Sequence, residues 1–232
     1  MITFLIPFAG GTSYSFKQYV KKSDELEFVL LDYPGKGQRA RECFASTMEE
    51  LVEDICCIIV SYIRNHEVKE YLLWGHSMGG SIAYEVTLLL LKRKELVPSY
   101  VVISGTPPPS FDNRAELKTK IHSKSEFLTY LSSFGLISDI EMMKRPVFAK
   151  LIEASMNDYR ILANYIPSKE VIESINGIVL YGKEDDSFVA DWEEWRWFFG
   201  KNCTVSEYPG KHFFVFDSFS KIVEQIVSLC VK

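Results

Sequence analysis

Long hydrophobic runs are missing from this chain of 232 residues, and no segment approaches the roughly eighteen apolar residues that a membrane-spanning helix needs. The apolar stretch at residues 86–91 is interrupted by Thr87 and ends at three basic residues. The apolar N-terminus lacks a basic segment and reaches Pro7 after only six residues, so it predicts a buried strand rather than a signal peptide. We therefore expect a cytoplasmic protein that does not interact with membranes.

Acidic residues outnumber basic residues in this chain, and the sequence contains no motif for phosphate or metal binding. The 26 lysines and arginines against 31 acidic residues form no basic stripe, so we expect no nucleic-acid partner. The glycines at residues 10–11 are not followed by the Gly-Lys-Ser/Thr of a phosphate-binding loop. Residues 35–40 fit the loose Gly-x-Gly-x-x-Ala dinucleotide pattern, but Pro34 interrupts the strand end and no suitably spaced acid follows. We predict neither a cofactor nor a metal.

Paired cysteine motifs are also lacking. The chain has five cysteines, which is an odd number, and none of them form a Cys-x-x-Cys sequence. This usage predicts reduced thiols, mostly buried, in a protein without a disulfide framework.

Short apolar runs that alternate with helical patterns dominate what is present. Near-continuous apolar runs predict strands buried on both faces, and these occur at residues 28–31, 71–74, 100–103 and 178–181. Between them, residues 47–66 repeat apolar side chains at helical spacing, and Thr47 with Glu50 predicts a capping box at the start of that helix. The alternation indicates a single α/β domain over residues 1–232, with a mostly parallel sheet between layers of helices.

One segment departs from this alternation. After three prolines at residues 107–109 the strand pattern disappears until about residue 167, which is too long for an ordinary connection. Helical spacing predicts two helices in this segment. The first includes Phe127, Leu128, Leu131 and Phe134. The second begins near Pro146 and places six residues on one face: Phe148, Leu151, Ile152, Ser155, Tyr159 and Leu162. We interpret residues 107–167 as a helical lid, and the alternative is a set of extra core helices without a gating role.

The strongest chemical signal is Gly-His-Ser-Met-Gly-Gly at residues 75–80, directly after an apolar run and before a helical pattern. A strand that turns into a helix through Gly-x-Ser-x-Gly places the serine on a tight bend with its hydroxyl exposed. Ser77 is therefore the predicted nucleophile. The N–H of Met78, the next residue, is a natural donor to an oxyanion.

A serine nucleophile needs a base and a group that orients the base. Of the four histidines, His212 follows the last strand-like run, where the order Ser, Asp, His places the base. Residues 184–186 follow the preceding strand and offer three acids, and spacing alone does not choose between Asp185 and Asp186. The glycine-rich loop at residues 7–11 is suited to supply a second oxyanion amide.

With these motifs placed, the chain resembles the type II thioesterases, the editing enzymes of nonribosomal peptide and polyketide synthesis. The likeness rests on five ordered motifs, at residues 7–11, 33–39, 75–80, 182–185 with Trp195, and 209–214. It departs from the family at Lys36 and Lys211, and neither departure is expected to touch the chemistry. The resemblance implies an α/β-hydrolase fold, assigns the orienting acid to Asp185 and assigns the second oxyanion amide to Ala9.

The resemblance further implies hydrolysis of acyl groups from the phosphopantetheine arm of acyl or peptidyl carrier protein domains. Ser77 would form an acyl-enzyme, and a lid would enclose an apolar acyl chamber with Met142, Met143 and Met156 as candidate walls. A monomer is the default expectation.

Three alternatives remain at this stage. They are an esterase of small free esters, a fatty acyl thioesterase with the same triad, and a non-catalytic relative that only binds a ligand or partner.

Overall fold

The computed structural model describes residues 1–21, 25–133, 137 and 139–230. Its six strands form one sheet in the order β2-β1-β3-β4-β5-β6, with every neighbouring pair parallel. The strands are β1 (Ile2–Ile6), β2 (Glu27–Leu30), β3 (Tyr71–His76), β4 (Tyr100–Ser104), β5 (Asn176–Gly182) and β6 (Cys203–Tyr208). The predicted parallel sheet is confirmed, and the carboxyl ends of all six strands meet at one edge.

Ten α-helices connect and cover the strands in the described part of the chain. They are α1 (Ser13–Val20), α2 (Met48–Asn65), α3 (Met78–Arg93), α4 (Arg114–Lys120), α5 (Lys124–Ser133), α6 (Ile140–Met143), α7 (Ala149–Asn164), α8 (Arg196–Phe199), α9 (Phe214–Asp217) and α10 (Phe219–Cys230). None of these helices is both long and apolar enough to cross a membrane.

The hydrophobic core has two parts because successive strand residues point to opposite faces of the sheet. On one face Leu73 packs in a cluster with α2 and α3. On the other face Leu72 and Trp74 pack in a cluster with α1 and α10. Trp74 stacks on Phe219 of α10, with ring centroids 5.3 Å apart. Both faces of the sheet are thus covered by helices, as a parallel sheet requires.

The start of α2 differs in part from its prediction. The Thr47 hydroxyl accepts a hydrogen bond from the Glu50 N–H at 3.2 Å, as expected of an N-cap. The Glu50 carboxylate, however, accepts from the Ser46 N–H at 2.6 Å rather than from Thr47. The reciprocal half of the predicted capping box is therefore wrong, and the acid caps the chain one residue earlier.

Helices α4 to α7 occupy the segment between β4 and β5. Phe127 and Leu128 are buried as predicted, and Phe127 meets Tyr159 of α7 edge to face at 5.2 Å. Phe134 lies outside the described residues. The predicted face of α7 is partly wrong, because Leu151 is 47% exposed whereas Asp158, a charged residue, is buried.

The cysteines correct a further expectation. All five are free, but only Cys56 and Cys203 are buried, whereas Cys43 and Cys57 are exposed. The prediction of mostly buried thiols is wrong, because Cys57 faces outward from α2 one position after the buried Cys56.

Candidate active site

Ser77 lies on a strained bend between β3 and α3. Its φ of 55° and ψ of −121° fall in a region that residues with a side chain rarely adopt, at a cost of about 1–3 kcal/mol. The bend is possible because its flanking glycines lack side chains: a Cβ on Gly75 would overlap the Gly79 carbonyl, and a Cβ on Gly79 would overlap the Ile6 carbonyl. The strand and the helix therefore approach closely enough to hold the Ser77 hydroxyl above the sheet edge.

Two further residues support the bend: Thr106 lies in the loop after β4, and Trp195 directly precedes α8. The Thr106 hydroxyl donates to the Ser77 carbonyl at 2.7 Å. The Trp195 indole N–H, which is buried, donates to the Thr106 carbonyl at 2.9 Å. Such long-range contacts have no local sequence signal, although Trp195 was part of the family resemblance.

The three predicted triad residues form one hydrogen-bonded chain. His212 Nε2 lies 2.9 Å from Ser77 Oγ, and His212 Nδ1 lies 2.8 Å from Asp185 Oδ2. The side chains of His212 and Asp185 are only 4% and 0% exposed, so the chain is shielded from bulk water. This arrangement can move a proton from the Ser77 hydroxyl to an imidazole that a carboxylate holds in place.

The geometry distinguishes the two neighbouring aspartates. The other oxygen of Asp185 accepts the Ser187 N–H at 3.0 Å. Burial by itself would raise the pKa of Asp185, but the hydrogen bonds and charge of His212 and the Ser187 contact outweigh it and leave that pKa below its ordinary value. Asp186 instead points to solvent, 79% exposed and 3.9 Å from Lys211 Nζ. Of these two aspartates, Asp185 is the one that reaches His212.

Glu184, the third acid of this turn, joins the two loops that carry Asp185 and His212. Its carboxylate accepts the Gly210 N–H, and its own N–H donates to the Gly210 carbonyl at 3.0 Å. A Cβ on Gly182 would overlap the Lys211 carbonyl, so the loops after β5 and β6 pack tightly. The distance from Asp185 to His212 is thereby fixed by backbone contacts.

His76 lies buried against the triad. Its ring centroid is 5.3 Å from that of His212, and its Nδ1 is 3.1 Å from Ser104 Oγ. Burial lowers the pKa of His76 well below its ordinary value, the neighbouring His212 lowers it further, and Asp185 and Ser104 only partly oppose this. His76 is therefore a neutral residue packed against the His212 ring.

This lowered pKa predicts a pH dependence of stability. The unfolded chain binds a proton at His76 near pH 6.5 and the folded chain does not, so the free energy of unfolding falls as the pH drops below about 6.5. The slope due to this residue approaches about 1.4 kcal/mol per pH unit. Denaturant titrations of wild type and His76→Asn at several pH values should show a shallower slope for the variant. The exposed His122→Asn is the control, and equal slopes for wild type and His76→Asn would contradict the assignment.

The two predicted oxyanion donors lie at the same edge as Ser77. Gly79 packs against the carbonyls of Ile6 and Pro7, which brings the loop at residues 7–11 next to the start of α3. The Met78 N–H opens that helix, where amides have no intrahelical acceptor. Ala9 is buried in the neighbouring loop, and its N–H has no acceptor among the described residues.

A cavity of about 90 Å³ opens beside Ser77 and His212. Its walls are mainly rings and aliphatic side chains from the α4–α7 segment and from the loops after β5, among them Leu117, Tyr130, Tyr159, Leu162, Phe188 and Trp195. The methionine prediction is wrong, because Met142, Met143 and Met156 are not part of this lining and Met142 is 42% exposed. In the part of the chain that is described, no three His, Cys, Asp or Glu side chains are grouped to hold a metal ion.

Comparison with solved structures places the fold. The chain superimposes on ClbQ from the colibactin NRPS/PKS pathway with a TM-score of 0.84, 20% identity and coverage of 99% of this chain and 96% of that one. RedJ with a PEG molecule bound in the active site gives a TM-score of 0.82 at 24% identity, covering 99% of this chain and 92% of RedJ. The fold is therefore that of the α/β-hydrolase thioesterases, as predicted.

Sequence comparisons, above all the match to a family model, give the family. The chain is 27% identical to the medium-chain S-acyl fatty acid synthase thioesterase of Homo sapiens, over 97% of this chain and 85% of that protein. It is 24% identical to the gramicidin S biosynthesis protein GrsT of Aneurinibacillus migulanus, over 95% of this chain and 85% of GrsT. Residues 2–230 match the thioesterase domain family model. The chain thus belongs to the thioesterase domain family and is a hydrolase that acts on thioester bonds.

Proposed function

We propose that Ser77, His212 and Asp185 carry out thioester hydrolysis through an acyl-enzyme. The observation that supports this most directly is the hydrogen-bonded chain of 2.9 and 2.8 Å that ends at Ser77 beside the cavity. The Ser77 oxygen attacks the thioester carbonyl while its proton passes to His212 Nε2. Asp185 accepts the Nδ1 proton in a hydrogen bond and stabilises the imidazolium that forms.

The tetrahedral intermediate then breaks down. Its oxyanion accepts hydrogen bonds from the N–H groups of Ala9 and Met78. The carbon–sulfur bond breaks, and the thiol leaves with the proton from His212; its pKa of about 8.5, by analogy with cysteine, makes it a good leaving group. Water, deprotonated by His212, next attacks the Ser77 ester, which releases a carboxylic acid and restores the serine. No cofactor enters this scheme.

We propose that the substrate is an acyl group on the phosphopantetheine arm of a carrier protein, removed as an editing step in nonribosomal peptide or polyketide synthesis. The end-to-end similarity to GrsT and the fold shared with ClbQ support this choice. A helical segment over the strand ends, with Tyr159 and Leu162 of α7 in the cavity wall, is suited to enclose a thin arm. We propose that residues 107–167 act as the lid of this cavity.

The volume of the cavity bears on the second candidate function, fatty acyl release. Similarity to the human medium-chain enzyme favours that function. A dry cavity of about 150 Å³ accommodates benzene, and the present cavity measures about 90 Å³. The enclosed space holds a short acyl group, and a medium-length chain would extend through the open mouth of the cavity. We therefore favour short acyl groups of a few carbons as substrates.

Acyl-loaded carriers separate these functions. The protein is incubated with carrier domains that bear acetyl, butyryl, octanoyl or decanoyl groups, with the same acyl groups on coenzyme A, and with free short esters. The intact mass of the carrier reports release. We expect turnover of acetyl and butyryl carriers at least about tenfold faster than of the decanoyl carrier, because only the short acyl groups are fully enclosed beside Ser77. Faster release of decanoyl groups would favour fatty acyl release, and cleavage of free esters alone would contradict the carrier proposal.

A further inference from the structure

A buried ion pair joins two distant segments next to the active site. Lys36 lies in the turn after β2, and Asp158 lies on α7. Their ammonium and carboxylate are in direct contact, and their side chains are only 3% and 2% exposed. Burying two charges costs several kcal/mol of desolvation each, and apolar residues of similar size often stabilise a fold as well or better. Stability is therefore a weak explanation for this pair.

Asp158 also binds the loop that carries the predicted oxyanion donor. Its Oδ2 accepts a hydrogen bond from the Gly10 N–H at 2.7 Å, and Gly10 directly follows Ala9. Gly10 has a φ of +80°, and a Cβ at this position would crowd the Ser155 hydroxyl of α7. The loop and α7 are thus in contact at Gly10 both through a charged hydrogen bond and through close packing.

Lys36 is part of a second connection to the same loop. Its Nζ lies 5.1 Å from the centre of the Tyr33 ring, within range of a cation–π contact. The Tyr33 hydroxyl donates to the Pro7 carbonyl at 2.5 Å. The backbone on both sides of Ala9, at Pro7 and at Gly10, is therefore held by this buried group.

Helix α7 contacts both the cavity and the loop at residues 7–11. Tyr159 and Leu162 line the cavity beside Ser77, whereas Asp158 reaches the loop at residues 7–11. A hydrogen bond between a carboxylate and a backbone N–H is among the stronger ones in proteins. Donors to an oxyanion act best when they are fixed before the reaction begins. One helix thus connects the acyl cavity to the backbone that must be fixed.

We propose that Lys36 and Asp158 are positioning residues that hold the Ala9 amide in place for the oxyanion, with the Gly10 N–H as the point of attachment. The proposal rests on the function proposed above, since it concerns the same site. Asp158 acts through Gly10 and Lys36 acts through Asp158 and Tyr33. The turn at residues 35–40, which resembles a dinucleotide motif in sequence, serves to bring Lys36 inward.

Two double variants separate this role from a contribution to folding. Lys36→Met with Asp158→Asn removes both charges but keeps an oxygen that can accept from Gly10. Lys36→Met with Asp158→Leu removes the charges and the acceptor at similar side-chain size. We expect the asparagine variant to lose about tenfold in kcat, because it keeps an acceptor for the Gly10 N–H but lacks the contact of Lys36 with Tyr33. The leucine variant should lose about a hundredfold in kcat with little change in KM, as for a small displacement of a catalytic group. The exposed pair Arg64–Glu95, replaced by methionine and glutamine, is the control.

Two binding measurements and hydrogen exchange complete the test. A trifluoromethyl ketone analogue of the acyl thioester forms a tetrahedral adduct with the serine. Its affinity for the leucine variant should fall by the same factor as kcat. A thioether analogue, which forms no adduct, should bind equally well to all variants. The Gly10 amide should exchange at least about tenfold faster in the leucine than in the asparagine variant. Equal exchange and equal kcat in the two double variants would overturn the proposal. If the wild type does not release acyl groups from a carrier, but Gly10 exchange still differs between the two double variants, the proposed function is overturned and the positioning role is not.

Discussion

Ser77→Ala is expected to lower acyl release from a carrier at least about a thousandfold, with the fold unchanged. Without the hydroxyl no acyl-enzyme can form, and the remaining oxyanion donors can only assist direct attack by water. The effect should appear in kcat, because the cavity that binds the acyl group does not depend on the hydroxyl. Intact-mass kinetics on acetyl-loaded carrier measure the loss. Mass spectrometry of the protein after mixing should show an acetyl adduct on wild type and none on the variant.

Ser81 supplies the matched control for this experiment. It lies one turn further along α3 and also lines the cavity, but it is not part of the hydrogen-bonded chain of Ser77, His212 and Asp185. Ser81→Ala should therefore keep activity within a few-fold of wild type, as expected for a change outside the reacting atoms. Undiminished release by Ser77→Ala would exclude this serine as the nucleophile. Equal losses in both variants would indicate damage to the cavity rather than to the chemistry.

The arrangement of Ser77, Asp185 and His212 was predictable because each follows a strand of one parallel sheet. Parallel strands bring their carboxyl ends to the same edge, so residues far apart in sequence become neighbours there. The choice between Asp185 and Asp186 was not predictable from spacing, since both lie in the same turn. It depends on the direction in which each side chain leaves the backbone, and the structure sets this by the packing of Gly182 against the loop before His212.

The inner face of α7 shows where sequence patterns fail. Helical spacing of apolar residues placed Leu151 inside and gave no reason to bury Asp158. The charge is buried because a partner from another segment, Lys36, compensates it, and such long-range pairing leaves no periodic signal. The resemblance to the family gives Lys36 no role in the chemistry and no reason for its burial. Its burial against Asp158 and Tyr33 is visible only in three dimensions.

The wrong prediction for the methionines has a similar cause. Adaptable side chains in the α4–α7 segment suggested a chamber lined by Met142, Met143 and Met156. The direction in which each helix faces decides the lining, and α7 presents Tyr159 and Leu162 instead. Rigid rings define the shape of a cavity more sharply than flexible methionine side chains would.

Asp185→Asn is expected to lower kcat by roughly 10³- to 10⁴-fold, whereas Asp186→Asn should remain within about threefold of wild type. The asparagine amide at position 185 would donate a hydrogen bond to His212 Nδ1, which places the imidazole proton on Nε2. His212 could then no longer accept the Ser77 proton. At position 186 the same substitution removes only a solvent-exposed carboxylate that lies 3.9 Å from Lys211.

These two substitutions are isosteric and adjacent, so their effects on folding are easily compared. Thermal unfolding followed by circular dichroism should give closely similar midpoints for Asp186→Asn and wild type and at most a modest decrease for Asp185→Asn. Steady-state release from acetyl-loaded carrier then gives kcat and KM for each. Comparable losses of kcat in both variants would contradict Asp185 as the orienting residue, and a loss confined to Asp186→Asn would transfer the role to that residue. A loss confined to kcat of Asp185→Asn would link the 2.8 Å contact between Asp185 and His212 directly to the chemical step.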